Sequence, residues 1–471
     1  MAEFTVDEIL EATGGKLLAG KPGARASGVG TDSRNIQPGE VFFALRGEKY
    51  DGHDFTAQAA AGGAGVLVVE EKPEIAFPPG VAVVQVADTL EALGKLAAWH
   101  RQRFSIPVIG VTGSNGKTTT KELLAALLAQ RYRVVKNAMN YNNEIGLPLT
   151  LLTVDSDTEV IILEMGMRGE GQIAYLARIA RPTAGVITNV GHSHLELLGS
   201  QEAIARAKGE LIAALPRKGL AVLNGDDPRV HTMNRLFPGV SLFYGLEADG
   251  LDLRGTARPV TGGQEVTVTG RWGDFTFFLP LPGRHNTANA LAATTVALSF
   301  GLTSREIATG MQNLPPLEKR LRVMEKCGLT IIDDTYNASP QSVQNALEVL
   351  DGMEGKRKIA ILGDMLELGE FSAGAHRKIG EILGDYGCSA LFAYGPKSAE
   401  TAAAAAAAGV FSRHYPEQEA LIRDLQAYVA KGDILLVKGS RGMKMEKVIK
   451  ELLEQLVCAR ARESFREEEK R

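Results

Sequence analysis

Residues 108–120 read V-I-G-V-T-G-S-N-G-K-T-T-T: an apolar run, a Gly-rich turn ending in Gly116-Lys117-Thr118, and then helical spacing over residues 121–130. In that order a strand delivers a turn whose backbone N–H groups converge on an anion. The helix start adds its partial positive charge, and a lysine neutralises the phosphate. The chemistry this permits is binding of ATP, with Gly113, Ser114, Asn115, Gly116, Lys117, Thr118 and Thr119 around the phosphates. The loop is short, with only Ser114 and Asn115 between its glycines and Val111 where the usual phosphate loop has its first glycine. That shortness points away from kinases and GTPases.

Five further groups could work on a bound triphosphate. Glu164 closes the apolar run Ile161-Ile-Leu-Glu164, so it stands at the carboxyl edge of a sheet, where open α/β sheets hold ligands. With Thr118 it could carry Mg²⁺, although a solvated strand-end Glu is the plain alternative. Asn189-Val-Gly-His-Ser-His194-Leu-Glu196 reaches the same edge; two His and a Glu admit zinc, but no Cys accompanies them and a triphosphate calls for a hard cation. His194 is therefore assigned to a second Mg²⁺, against the alternative of a structural histidine. Lys208, in Ile204-Ala-Arg-Ala-Lys208-Gly-Glu210, reads from these residues alone as a solvent-facing helix lysine. Asn286 and Asn289 open a helix and could bond a base edge or serve as caps. Asp333-Asp334-Thr-Tyr-Asn337 follows a strand and could face the ATP site across a cleft.

Elements to position these groups are legible along the chain. A length of 471 residues suggests about three domains. Residues 1–103 read as a small α/β domain closed by a helix at 89–103. Residues 104–318 read as a mostly parallel sheet with strands at 160–164, 184–189 and 220–224, an antiparallel β-excursion between 240 and 281, and a helix at 287–300. Residues 319–458 read as a second, Rossmann-like β/α series starting at Leu329, with strands near Ile331, at 359–363, at 390–394 and at 434–438. The alanine run 402–408 fits a crossover helix there, and residues 459–471 are a charged tail, a frayed helix or disordered.

Hydrophobic residues at 45% and charged residues at 23% fit a folded globular chain, and a net charge of −4 without a basic patch argues against nucleic acid. Cys327, Cys388 and Cys458 are odd in number, widely spaced and without C-x-x-C, which argues against both a disulfide framework and a zinc site and reads as reduced thiols in a cytoplasm. No apolar run approaches the ~18 residues of a membrane helix, and the start carries acidic residues in place of a leader.

Taken in order, several short segments resemble the Mur ligases, ATP-dependent amide-bond-forming enzymes of bacterial cell-wall precursor synthesis. They are Thr31-Asp-Ser-Arg34, Gly39-Glu-Val-Phe-Phe-Ala-Leu-Arg-Gly47, Asp51-Gly-His-Asp-Phe55, Asn140-Tyr-Asn-Asn-Glu-Ile-Gly-Leu-Pro148, Glu164-Met-Gly166, His194-Leu-Glu196, Asp334-Thr-Tyr-Asn337, Leu362-Gly-Asp-Met-Leu-Glu-Leu-Gly369 and Val437-Lys-Gly-Ser-Arg441. The resemblance covers nearly the whole chain. It implies that residues 1–103 bind a UDP-muramyl peptide through Asp32, Ser33, Arg34 and the loop Ala44, Leu45, Arg46 and Gly47. It puts Asn286, Asn289, Arg320 and Asp334 on the nucleotide. Asn140, Asn143, Tyr336, Asn337, Lys438, Ser440 and Arg441 would meet the substrates.

The resemblance also makes Lys208 a carbamylated lysine beside two Mg²⁺ ions, since a carbamate turns an amine into an anionic oxygen ligand. Lys117, Lys208 and His194 would then be the catalytic set, and the last domain would close on the substrates. Asp51-Gly-His-Asp and Gly-Asp-Met-Leu-Glu-Leu-Gly favour the branch that joins D-alanyl-D-alanine to UDP-N-acetylmuramoyl-tripeptide, as a monomer. An earlier muramyl ligase, a folylpolyglutamate synthase and a non-catalytic ATP-binding regulator are the alternatives. Two departures from the family pattern are Ser339-Pro340 for the more usual Asn-Pro and Ser114 where Thr is frequent.

Overall fold

The apolar run Val108–Thr112 is a fully buried strand, third from one edge of a nine-stranded sheet, flanked by Val160–Glu164 on one side and Ala184–Ile187 on the other. The chain thus reverses its direction of travel across the sheet at the phosphate-loop strand, which is where an open parallel sheet leaves a crevice for ligand. In the computed structural model, residues 2–71, 79–138 and 140–468 are described, with side chains as far as Val457.

Alternate residues of these strands feed two cores, as the period of a strand requires. Val108, Ile161 and Ile187 pack with Leu176, Ile204 and Leu211 from the helices Gln172–Ala180 and Gln201–Ala213. Ile109, Val111 and Ile162 pack with Leu123 and Leu127 from helix Lys117–Leu128 and with Leu291 from helix Arg284–Ser299. The first core runs on into residues 1–103 through helix Thr89–Arg101, whose Leu93 and Leu96 belong to it.

Several expectations need correction. The phosphate-loop helix starts at Lys117 and not at Lys121, so the lysine is itself the first helical residue. The segment expected to be an antiparallel excursion begins with two parallel additions to the main sheet: Val240–Gly245 pairs with Leu220–Asn224, and Leu253–Val260 pairs with Val240–Gly245. Only Gly263–Gly270 and Phe275–Leu279 run antiparallel, extending the same sheet to its edge. The last sheet starts not at Leu329 but with Arg322–Lys326, antiparallel to Leu329–Asp334. It also holds a sixth strand, Phe411–Tyr415, at its opposite edge. Between these lie the parallel strands Ile434–Lys438, Lys358–Gly363 and Cys388–Tyr394.

The alanine run belongs to helix Ser398–Ala407, which packs against the edge of that sheet. The charged tail continues as helix to Glu468, the end of an element beginning at Glu446, while residues 469–471 of that expectation lie outside the described residues. Residues 1–103 carry a five-stranded sheet, parallel except for Lys16–Ala19, and a small antiparallel pair, Glu3–Thr5 with Arg25–Ser27. Among the described residues no helix is long and apolar enough to cross a membrane.

Candidate active site

The phosphate loop is shaped by two glycines that nothing larger could replace in place. Gly116 caps helix Lys117–Leu128 with φ +80°, and a Cβ there would lie 2.3 Å from Asn289 Oδ1. At Gly113 (φ +153°) a Cβ would lie 1.8 Å from Thr188 Oγ1. The loop is tied to the neighbouring strand end: Ser114 N donates to Asn189 O and Asn115 N to Asn189 Oδ1, both at 2.9 Å. No side chain caps the helix, so its first N–H groups remain available to an anion. Gly116→Ala is therefore expected to cost about 1–2 kcal/mol in backbone strain alone and to abolish nucleotide binding. A melting curve with and without ATP checks both parts; a ligand-induced rise equal to that of the unchanged protein would contradict the assignment.

Around this loop lies a cavity of about 950 Å³. Lys117, half-buried overall, turns its ammonium inward onto Gly113 O at 2.8 Å and Ser114 O at 3.3 Å. Burial lowers its pKa and Arg320 adds to that, with Glu164 opposing. Glu164 is 5% exposed. Its carboxylate accepts from Thr118 Oγ1 at 2.6 Å and from Asn142 Nδ2 at 2.7 Å. Burial pushes this carboxyl upward, but the cations of Lys117 and Arg320 and the Thr118 hydrogen bond outweigh it, leaving the pKa below the usual range. Arg320 Nη2 donates to Thr118 Oγ1 at 2.9 Å while its guanidinium lies 4.1 Å from the centre of the Tyr336 ring.

Lys208 does not face solvent, as its plain reading expected: it is 1% exposed and lines the cavity. It sits on helix Gln201–Ala213 with Ile204, Ala207 and Leu211, whose spacing makes the buried stripe. Burial, with the like charge of Lys117 behind it, holds the amine well below the usual lysine range. His194, in the left-handed conformation at φ +64°, lines the same cavity. Its Nδ1 is 2.9 Å from Glu367 Oε2, an ion-pair distance at an angle outside hydrogen bonding.

Residues 319–441 form the facing wall. Lys438 Nζ bridges Asp334 Oδ2 at 2.5 Å and Asn337 O at 2.8 Å, and Tyr336 donates its hydroxyl to Asn140 Oδ1. Ser440 and Arg441 line the cavity, with Ser440 Oγ accepting from Leu366 N at 2.8 Å. Asn143 lines it too, its Oδ1 accepting from Gly146 N at 2.9 Å. Asn286 donates to Pro282 O at 2.7 Å and Asn289 donates to Asn286 Oδ1 at 3.3 Å; neither is the helix cap, a place taken by Gly283.

The structure does not bring the N-terminal candidates into this cavity. Asp32, Ser33, Arg34, Ala44, Leu45, Arg46 and Gly47 lie apart from its lining, on loops after two strands of the first sheet. Arg34 is folded back on Asp32, with contacts of 2.8 and 2.7 Å, which takes the Asp32 carboxyl down to about 2. Ser33 donates to Gln58 at 3.0 Å. A relay joins this patch to the cavity: Arg46 pairs with Glu70 at 2.6 Å, and Glu70 accepts from Thr89 N at 3.1 Å. Thr89 starts the helix whose Asp88, Leu90 and Glu91 line the cavity.

Sequence reasoning passed over four groups. Asn142 holds the Glu164 carboxylate, Asn189 shapes the loop, and Ser339 donates to Asn115 Oδ1 at 3.0 Å across the two halves of the site. His285 lines the cavity with a buried, unpartnered Nδ1 and a pKa lowered by burial to about 4. Asn142 and Asn189 lie inside segments named above, Ser339 in the Ser339-Pro340 departure and His285 beside Asn286, while the surroundings that give each its place are tertiary.

A short phosphate loop at a sheet reversal, a buried carboxylate and amine beside it, and a facing wall from a second β/α sheet define a nucleotide-dependent enzyme built on three large sheets and one small one. Residues 25–101 match the Mur ligase family catalytic domain, 111–297 the Mur ligase middle domain, and 319–441 the Mur ligase glutamate ligase domain. The chain belongs to the Mur ligase family. It is 40% identical to UDP-N-acetylmuramoyl-tripeptide–D-alanyl-D-alanine ligase of Bacillus subtilis over 91% of this chain and 93% of that one. With the Escherichia coli protein of the same name, identity is 36% over 97% and 100% of the two chains. Among solved structures, MurF from Acinetobacter baumannii superposes with a TM-score of 0.89 at 29% identity, over 96% and 99% of the chains. MurF ligase from Thermotoga maritima in complex with ADP superposes at 0.82 with 32% identity, over 92% and 99%.

Proposed function

We propose that this chain joins D-alanyl-D-alanine to UDP-N-acetylmuramoyl-tripeptide, splitting ATP to ADP and phosphate, as the names of its relatives indicate for those proteins. The observation that carries the chemistry is the convergence of Lys117, Thr118, Glu164 and Lys208 on one cavity. The terminal carboxylate of the tripeptide attacks the γ-phosphorus and the bond to the ADP oxygen breaks, giving an acyl phosphate. The dipeptide amine then attacks the acyl carbon, phosphate leaves, and the amine gives up a proton. Lys117 turns from the loop carbonyls to the γ-phosphate, and Arg320, 2.9 Å from Thr118 Oγ1, adds a second positive charge. Charge spreads over the transferred group in the transition state, so both cations act where charge develops.

Magnesium fits this site. Thr118 and Glu164 offer hard oxygens beside the phosphate loop. Among the described residues no group of three or more His, Cys, Asp or Glu is placed to hold a metal, which suits an ion held by one or two protein oxygens, water and phosphate. Bound there, Mg²⁺ would neutralise phosphate charge. A second ion would fall to His194 and to a carbamate on Lys208. Burial lowers the pKa of the Lys208 amine and so favours the neutral form that adds to CO₂; the addition forms N–C and releases one proton, and the carbamate would offer anionic oxygens to that ion.

The UDP end of the substrate rests on Asp32–Arg34 and Ala44–Gly47, the peptide end crosses the start of helix Thr89–Arg101, and Tyr336, Asn337, Lys438, Ser440 and Arg441 receive ATP and dipeptide as residues 319–458 close on residues 104–318. The product would supply cell-wall assembly, and through it cell shape and division, from the cytoplasm, with the chain acting as a monomer.

Tripeptide labelled with ¹⁸O in its terminal carboxylate tests the route. One label atom is expected in the phosphate released when D-alanyl-D-alanine is present; unlabelled phosphate would exclude the acyl phosphate.

A further inference from the structure

The Mg²⁺ reading rests on where the Glu164 carboxylate is held, and the residue that holds its backbone has no part in that reading. Strand Val160–Glu164 pairs with Val134–Lys136 only as far as Ile162 opposite Lys136. Beyond that point the side chain of Asn137 replaces the missing strand. Its Oδ1 accepts from Glu164 N at 2.9 Å and its Nδ2 donates to Glu164 O at 2.9 Å and to Tyr141 O at 2.8 Å. A carboxamide is a planar acceptor and double donor, so it can close a ladder on a residue whose own partner strand has turned away. Asp lacks the donors, and Thr has a single oxygen.

Asn137 is itself fixed from below. The Lys121 ammonium, 0% exposed, donates to Asn137 O at 2.7 Å. It also lies 3.1 Å from Glu122 Oε1. The chain then returns as Asn142, which bonds the Glu164 carboxylate at 2.7 Å, and Asn142 O accepts from Gly166 N at 2.8 Å. Glu164 is thus clamped at its N–H, its carbonyl and one carboxylate oxygen, leaving Thr118 on the other.

We infer that Asn137, seated by Lys121, is a positioning residue for the metal carboxylate Glu164. It acts through Glu164 and touches no substrate. Partners of metal ligands at this remove typically change metal affinity about 10- to 100-fold when replaced. Asn137→Asp keeps the shape and removes both donors.

The inference rests on the assignment of Glu164 to Mg²⁺, so Glu164→Gln is measured alongside. The readouts are the Mg²⁺ concentration for half-maximal ADP formation and, by calorimetry, ADP affinity with and without Mg²⁺. Asn137→Asp is expected to raise the Mg²⁺ requirement about tenfold and to shrink the gain in ADP affinity that Mg²⁺ brings. ADP affinity without Mg²⁺ and turnover at saturating Mg²⁺ should stay near those of the unchanged protein. Asn137→Thr, which keeps one oxygen, should fall between and covers the case of an unfolded Asp variant. An unchanged Mg²⁺ requirement, or equal losses with and without Mg²⁺ in both variants, overturns the inference. If Glu164→Gln itself leaves Mg²⁺ dependence untouched, the metal assignment has failed instead.

Discussion

Lys117→Ala is expected to lower turnover about 10²–10³-fold while leaving the melting temperature and circular dichroism close to those of the unchanged protein. The side chain bonds only the carbonyls of Gly113 and Ser114, so its removal opens no core cavity and breaks no ion pair on which the sheet depends. Its ammonium is held inside the site at a depressed pKa, ready to exchange two neutral acceptors for a phosphate. A charged donor aimed where charge develops contributes far more inside such a cavity than in water. Steady-state ADP release is the measurement. Near-normal turnover by the variant would remove the assignment of the phosphate loop.

Lys208→Ala is expected to lose activity on a comparable scale, about 10²-fold or more, and to become more stable at neutral pH in buffer free of CO₂. The sign follows from the lowered pKa. Between the folded and unfolded values the unfolded chain binds the extra proton, so the lysine lowers stability at neutral pH and that loss recedes as pH rises towards ten. Removing the amine removes the slope, although truncation opens a small cavity that offsets part of the gain; Lys208→Met fills it and isolates the electrostatic part. Supplied with ¹³C-bicarbonate, the unchanged protein should show a carbamate carbon signal by NMR that both variants lack. Full activity in either variant would contradict a catalytic Lys208.

The phosphate loop could be read because its signature is local: strand, glycines, lysine and helix lie within residues 108–128, although Asn189 and Asn289, which shape it, do not. The family segments likewise named cavity residues from both walls, among them Asn142, Glu164, His194, Asp334, Tyr336 and Lys438. What resisted reading was set by tertiary placement. Read from its own residues, Lys208 is a surface lysine because its charge outweighs its spacing, and only the family resemblance puts it in the site; yet Ile204, Ala207, Lys208 and Leu211 follow the i, i+3, i+4, i+7 stripe of a buried helix face. Arg322–Lys326 and Phe411–Tyr415 escaped notice because edge strands bury too little to show alternation. Val240–Gly245 falls in the stretch whose residues suggest an antiparallel excursion, yet it pairs in parallel, because the direction in which a strand pairs is decided by its crossover and not by its residues. Asn137 carried no signal: an asparagine after a strand reads as a turn, and only the register of Ile162 on Lys136 reveals that its amide completes a sheet.

The central claim is tested most directly by ADP release from purified protein, Mg²⁺ and ATP, with UDP-N-acetylmuramoyl-tripeptide and D-alanyl-D-alanine each omitted in turn and with D-glutamate or L-alanine offered as the amine. Release that requires both the tripeptide and the dipeptide is the predicted result. Release supported by another amine, or none under any combination, would contradict it.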